Sequence, residues 1–292
     1  MRIDLHTHSD VSDGTLTPDA LVRAAATAGI DVLGLTDHDT AAGWAEAEAA
    51  ALETGVTLVR GLEISTRWAG RGVHLLAYLA DPTHPPLVEA LARILDGRSS
   101  RVPAILERLR GLGIDIDAAD VRRVSAHARA TGRPHIADAL VDLGVVADRT
   151  TAFDRYLSPG RPAYVDRYAA PLEEMLALVT AAGGVAVLAH PWARHDPSAL
   201  DSDGLETLRA LGLAGVEVDH QDHAPATRER LRDVAGELGL LVTGASDFHG
   251  AGKTDHELGC NTTAPEELER LLDLAAATGR ASGRMTPQVV RP

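Results

Sequence analysis

Aromatic residues make up only 3% of the 292 positions, so the core has to be assembled from Ala, Leu and Val rather than from rings. Cysteine is almost missing. The single Cys260 excludes an internal disulfide framework and a cysteine-based zinc site, and it is expected to be a small buried apolar residue. No apolar run approaches the ~20 residues that cross a bilayer, and the opening MRIDLHTH has no basic and then apolar leader, so a cytoplasmic protein with no membrane partner is expected. Basic charge is short as well. Against 42 Asp and Glu stand 28 Lys and Arg, a net charge of −14, which suits solubility. Long duplex nucleic acid is therefore not an expected partner, because neutralising its phosphates takes clustered cations; one phosphate or one strand end needs only a locally cationic site.

What is present points to an α/β fold. Short apolar runs (2–5, 32–35, 56–62, 73–78, 185–189, 215–218 and 240–243) alternate with helical patterns. Thr17-Pro18 has the chemistry of an N-cap and first helical residue, and Gly29 is placed to end that helix. An Ala-rich helix is expected over 41–53, with others over 172–182, 205–211, 226–238 and 266–276. From about residue 87 to 164 the periods are helical (102–112 and 136–143 are examples), arginine is frequent and no strand is convincing. This predicts a helical insertion between two halves of one domain.

The residues that carry chemistry lie beside the strands. His6-Thr7-His8 follows the first, and side chains at i and i+2 share one face of a strand, so both imidazoles can reach one ion. Alone, the pattern is weak. It is joined by Asp13 in a Ser-Asp-Gly loop, His38 in Asp37-His38-Asp39, Glu63 at the end of 56–62, His190 after 185–189, and Asp247-Phe248-His249 after 240–243. Parallel α/β barrels collect active-site groups at the ends of their strands. His74 does not conform, since it begins its strand. Each residue has a plainer role open to it: Asp13 or Asp247 in a turn, His38 at a cap, Glu63 as a surface charge, His74 or His190 as core histidines. Their joint placement favours a shared metal site over so many coincidences. Imidazole and carboxylate without thiolate suit Mn²⁺, Zn²⁺, Fe²⁺ or Mg²⁺, and nine candidate ligands suit two or three ions. Three carboxylates (Asp13, Glu63, Asp247) against three divalent ions leave surplus positive charge, which a phosphate ester matches better than a neutral amide.

The stretches DLHTHSDVSDGT, LTDHDTAAG, RGLEIS, VHLLAY, LAHP and GASDFHG, spanning residues 4 to 249, resemble the polymerase and histidinol phosphatase (PHP) family of metal-dependent phosphoesterases. The resemblance implies a distorted (β/α)7 TIM-like barrel from 1–95 and 166–292, with residues 96–165 forming a small helical insertion domain as a lid. It implies His6, His8, Glu63 and Asp247 around a first ion, Glu63 bridging to a second held by His74 and His190, and Asp13, His38 and His249 around a third, with Mn²⁺ the foremost metal. All nine positions carry the family's residue types, which weighs against a non-catalytic interaction domain.

TGRPHIA (131–137) followed by GRPAYV (160–165) is similar to a branch acting on 3′,5′-bisphosphate nucleotides or short 5′-phosphorylated oligonucleotides, with Arg133, His135 and Arg161 on substrate phosphate. Relatives often have Lys where Arg161 stands, which exchanges a point donor for a fork. A solvated helical surface is the alternative role for these three. The expected chemistry is hydrolysis by metal-activated hydroxide, with Asp247 as ligand and proton acceptor and His195 as an acid for the leaving group. Histidinol-phosphate phosphatase, on the same metal site, is the competing expectation.

Overall fold

The computed structural model describes residues 1–193 and 200–291. The first half follows a βαβ pattern: β1 (Ile3–Thr7), α1 (Pro18–Thr27), β2 (Val32–Leu35), α2 (Trp44–Thr54), β3 (Thr57–Trp68) and β4 (Arg71–Tyr78). Thr17 caps α1 by accepting from the Ala20 amide, Pro18 supplies a preset φ at the first turn, and Gly29 follows the helix at φ 72°. β1 and β2 approach so closely that a Cβ at Gly34 would lie 2.2 Å from the Leu5 carbonyl oxygen.

A helical stretch then runs through α3 (Pro85–Ser100), α4 (Val102–Gly111), α5 (Ala118–Val124), α6 (Arg133–Asp142) and α7 (Arg149–Ala152), closing on a π-helical turn, Phe153–Leu157. It buries an apolar cluster of its own around Ile105, Leu109, Val121, Ile136 and Leu140. The chain returns through β5 (Ala170–Pro171), α8 (Leu172–Ala181), β6 (Val185–Ala189), α9 (Ser202–Ala210), β7 (Leu213–Asp219), α10 (Pro225–Glu237), β8 (Leu241–Gly244) and α11 (Pro265–Ser282).

The strands form one curled sheet in the order β1-β2-β3-β4-β6-β7-β8, with β5 beside β3. A bridge between Thr7 and Phe248 brings its two ends together at the rim. On β3 and β4 the alternation of side chains sorts the layers. Val59, Leu76 and Tyr78 share the faces of Glu63 and His74 and fill one apolar cluster, while Leu62, Ile64, Leu75 and Ala77 belong to the cluster packed under the helices.

One expectation needs correction, and the direction of one strand accounts for His74. β4 is antiparallel to both β3 and β6. An antiparallel strand starts where its parallel neighbours end. His74, opposite Ser65 on β3 and Ala189 on β6, therefore reaches the same rim as the other candidate ligands. Glu63 does not close its strand. β3 continues to Trp68 because it forms a hairpin with β4 through Ala69 and Gly70, both at positive φ, so Glu63 sits in mid-strand. Among the described residues no helix is long and apolar enough to cross a membrane.

Candidate metal centre

β1 carries His6 and ends in the loop with His8; β3 carries Glu63; Asp247 follows β8. The four converge. His6 Nε2 and His8 Nε2 lie 3.1 Å apart, 3.4 and 3.2 Å from Glu63 Oε2, and 3.4 and 3.3 Å from Asp247 Oδ1. Bonds of roughly 2.1 Å to one ion, at tetrahedral or octahedral angles, put donor atoms roughly 3.0–3.4 Å apart. Asp247 Oδ1 is buried and no described residue hydrogen-bonds to it. An acceptor oxygen left this way, facing two imidazole nitrogens, needs a cation to offset its desolvation. The donor set fits a divalent metal.

Glu63 divides its oxygens. Oε2 faces His6 and His8, and Oε1 lies 2.8 Å from His74 Nδ1 and 3.2 Å from His190 Nε2. One carboxylate thus serves two ligand sets. Asp13 faces His249 at 3.3 Å and His38 at 3.6 Å, and His8 completes that third group. His38 also turns Nδ1 to Glu63 Oε2, at 3.1 Å, so it borders two of the groups. All nine candidate ligands meet at one rim. Asp247 and His190 hold positive φ, 53° and 30°, as does Asp39 at 59°, which is backbone strain gathered at the site.

The electrostatics follow from the burial. Desolvation opposes charge on Glu63, yet His38, His74 and His6 hold its carboxyl well below the usual range. Desolvation likewise opposes charge on His6 and His8, but carboxylates outweigh it. Glu217, Asp247 and Glu63 raise His6 well above an ordinary imidazole, and Asp247 and Glu63 raise His8 to about 9. Burial wins at His38, pushed down to about 3, and at His220, pushed down to about 4.

Several supporting residues escaped the sequence. Glu217, in the middle of β7 and fully buried, takes His6 Nδ1 at 3.0 Å and the His190 amide at 3.0 Å. A proton held on Nδ1 leaves Nε2 as a lone pair aimed at the centre. The only sign of it was one charge inside an apolar strand, GVEVD. His220 Nδ1 accepts from the Asp222 amide, which puts its proton on Nε2, 3.2 Å from Asp247 Oδ2. Lys253 also donates to that oxygen. Asp37 takes the Ser9 amide and the Ser9 and Ser12 hydroxyls at 2.6–2.8 Å, fixing the loop that leads to Asp13. Asp39 accepts from the Ser65 amide at 2.7 Å and from Arg98 Nε at 2.7 Å.

Above the rim opens a cavity of about 740 Å³, lined by Asp13, His38, Glu63, His74, His190, Asp247 and His249 and also by Arg98, Arg101, Arg133, Arg149 and Arg167. Arg98 is neutralised by Asp39, and Arg149 by Asp138. Arg101 is largely buried among Arg133, Arg167 and Arg98; desolvation first and these like charges second depress it to about 8. Its Nε has no partner among the described residues. Arg133 lies 5.5 and 5.4 Å from the Phe153 and Tyr164 ring centroids and donates to the Leu157 carbonyl.

The other expected phosphate residues sit elsewhere. His135 is buried at the start of α6, where its Nδ1 accepts from the Gly132 amide, and it does not line the cavity. Arg161 is exposed in the turn after the π-helical segment and does not line the cavity. His195 lies outside the described residues.

Comparison with known proteins follows the same lines. The PHP domain model matches residues 4–99. The chain is 36% identical over 271 residues to a 3′,5′-nucleoside bisphosphate phosphatase of Chromobacterium violaceum, covering 90% of this chain and 93% of the relative. It is 38% identical over 248 residues to a 5′-3′ exoribonuclease of Haemophilus influenzae, covering 85% and 90%. A solved structure from Bifidobacterium adolescentis, described as a metal-dependent phosphoesterase, superposes with a TM-score of 0.88 at 38% identity, covering 93% of this chain and 95% of that one. With a rim of buried histidines and carboxylates and these relatives along nearly its whole length, the chain belongs to the PHP family of metal-dependent phosphoesterases.

Proposed function

We propose that the protein hydrolyses nucleotide phosphate esters, either 3′,5′-bisphosphate nucleotides or short 5′-phosphorylated oligonucleotides, in the cytoplasm. The observation that carries this is the pairing of one shared carboxylate, Glu63, split between two ligand sets, with an arginine wall on the same cavity. Two or three divalent ions, Mn²⁺ foremost, would be held by His6, His8, Glu63 and Asp247, by Glu63, His74 and His190, and by Asp13, His38 and His249. When bound, such ions supply an activated water near neutral pH and offset charge on phosphoryl oxygens.

The chain's own groups do the rest. Arg101 and Arg133 face the cavity with guanidinium donors suited to phosphate, and Arg98 and Arg149 are held in place by their carboxylates. Asp247 would serve both as ligand and as proton acceptor as the ester is attacked. The sheet and its helices act as a distorted (β/α)7 barrel of residues 1–95 and 166–292, and residues 96–165 act as the lid that delivers Arg101, Arg133 and Arg149. Arg161, at the surface, is left to meet the outer part of a longer substrate. The branch resemblance and the two named relatives support a nucleotide over a smaller phosphate ester.

The test is to incubate Mn²⁺-loaded protein with adenosine 3′,5′-bisphosphate, AMP, histidinol phosphate and a short 5′-phosphorylated RNA. Phosphate released from the bisphosphate, or mononucleotides released stepwise from the RNA, is expected. Turnover of histidinol phosphate alone overturns the substrate assignment.

A further inference from the structure

Lys253 is the only lysine in a chain that carries 28 lysine and arginine residues. Every other cation is an arginine. The exception stands in the reaction cavity, after the short 3-10 turn Gly250–Gly252, with its ammonium on Asp247 Oδ2. The resemblance assigns it no role.

The geometry of Asp247 explains why arginine does not serve there. Its two oxygens have separate duties. Oδ1 faces His6 Nε2 and His8 Nε2 with no hydrogen-bond donor among the described residues, and Oδ2 takes Lys253 together with His220 Nε2 at 3.2 Å. A guanidinium tends to chelate a carboxylate through both oxygens, whereas an ammonium is a point charge with three rotatable donors. An arginine here would draw Oδ1 away from the histidines. A lysine engages Oδ2 alone and keeps further N–H donors for a second acceptor.

Lys253 lines the cavity, where a ligand can supply that acceptor. Lys253 shares its wall with His190, Asp247 and His256, and Arg98 and Arg133 line the same space. His256 lines the same space, and its Nε2 has no hydrogen-bond partner among the described residues. Its Nδ1 donates to the Thr254 carbonyl at 2.7 Å, and burial followed by the nearby Lys253 charge lowers its pKa.

We propose that Lys253 binds the scissile phosphoryl group directly, from a seat on Asp247 Oδ2 that only a single-point donor can occupy without taking Oδ1 from the metal site. This rests on the phosphoesterase reading and adds a substrate contact to it. The ammonium would hold one phosphoryl oxygen beside the candidate metal ligands.

The uniqueness of the residue makes the test selective. Amine acetylation of Mn²⁺-loaded protein can modify only Lys253 and the terminal amine, and peptide mass spectrometry separates the two. Inorganic phosphate, used as the probe, is expected to slow acetylation of Lys253 and leave the terminal amine unaffected. Lys253→Met is expected to keep its Mn²⁺ content and lose about 10- to 100-fold in kcat/KM, the range for one charge-assisted hydrogen bond. Lys253→Arg is expected to fare no better and also to bind Mn²⁺ more weakly, which a merely structural cation would not produce. Equal acetylation with and without phosphate, or Lys253→Arg with full activity and full Mn²⁺ affinity, overturns the proposal. If the wild-type protein hydrolyses no phosphoester, the functional reading itself fails, and that outcome is separate from failure at Lys253.

Discussion

Glu217 shows how a residue can matter to the centre without being a ligand. Changing it to Gln keeps its size but offers an amide donor where His6 Nδ1 needs an acceptor, favouring a proton on Nε2, where the ion should sit. It also weakens the hold on the His190 amide, whose backbone is strained. Mn²⁺ affinity is expected to fall about 10- to 100-fold, the usual effect of losing such a partner, measured by metal titration against a chelator. An unchanged affinity would show that His6 orients itself. The nine candidate ligands that meet at the rim were legible in sequence because they lie beside apolar runs. Glu217 and His220 were not, since one polar residue in or after an apolar strand has many ordinary explanations. Lys253 had a compositional mark, being the only lysine, but its meaning needed Asp247 beside it.

At the scale of elements, the informative failure is β4. Apolar runs show where strands lie and are silent about direction, so His74 looked misplaced until the antiparallel pairing put the start of β4 at the rim. Of the arginines lining the cavity the sequence singled out Arg133 alone, for a similar reason. Arg98 on α3, Arg101 before α4, Arg133 at the start of α6 and Arg149 at the start of α7 are separated along the chain and meet only in space. Arg98 also joins elements: it ties α3 to Asp39 after β2 and to Ser65 on β3, at 2.7 and 2.8 Å. Both members of the Arg98–Asp39 pair are buried, so Arg98→Ala strands a carboxylate. It should destabilise the protein by about 3–5 kcal/mol, read as a lower urea midpoint with an unchanged slope. A loss under 1 kcal/mol would mean that Asp39 finds another partner or a proton.

The whole molecule should show its site in its pH dependence before any metal is added. His38 and His220 titrate near 3 and 4 in the folded protein, below the ordinary 6.5, so folding keeps them neutral. Their contribution is present above pH 6.5 and is lost as pH falls toward 4 and 3. His8, raised to about 9, works in the opposite sense: its contribution is full below 6.5 and is lost as pH rises through 9. Thermal melts of metal-free protein should therefore weaken on both sides of neutrality. A melting temperature flat from pH 5 to 9 would contradict this. The same buried, oppositely charged set is what divalent ions would neutralise, and Glu63 is where two ions would meet. The most direct test is therefore electron paramagnetic resonance of protein titrated with Mn²⁺, for wild type and Glu63→Gln. A spin-coupled Mn²⁺ pair in the wild type that is absent from the variant is the predicted result; isolated Mn²⁺ signals alone in saturated wild-type protein would contradict a shared carboxylate between two ions.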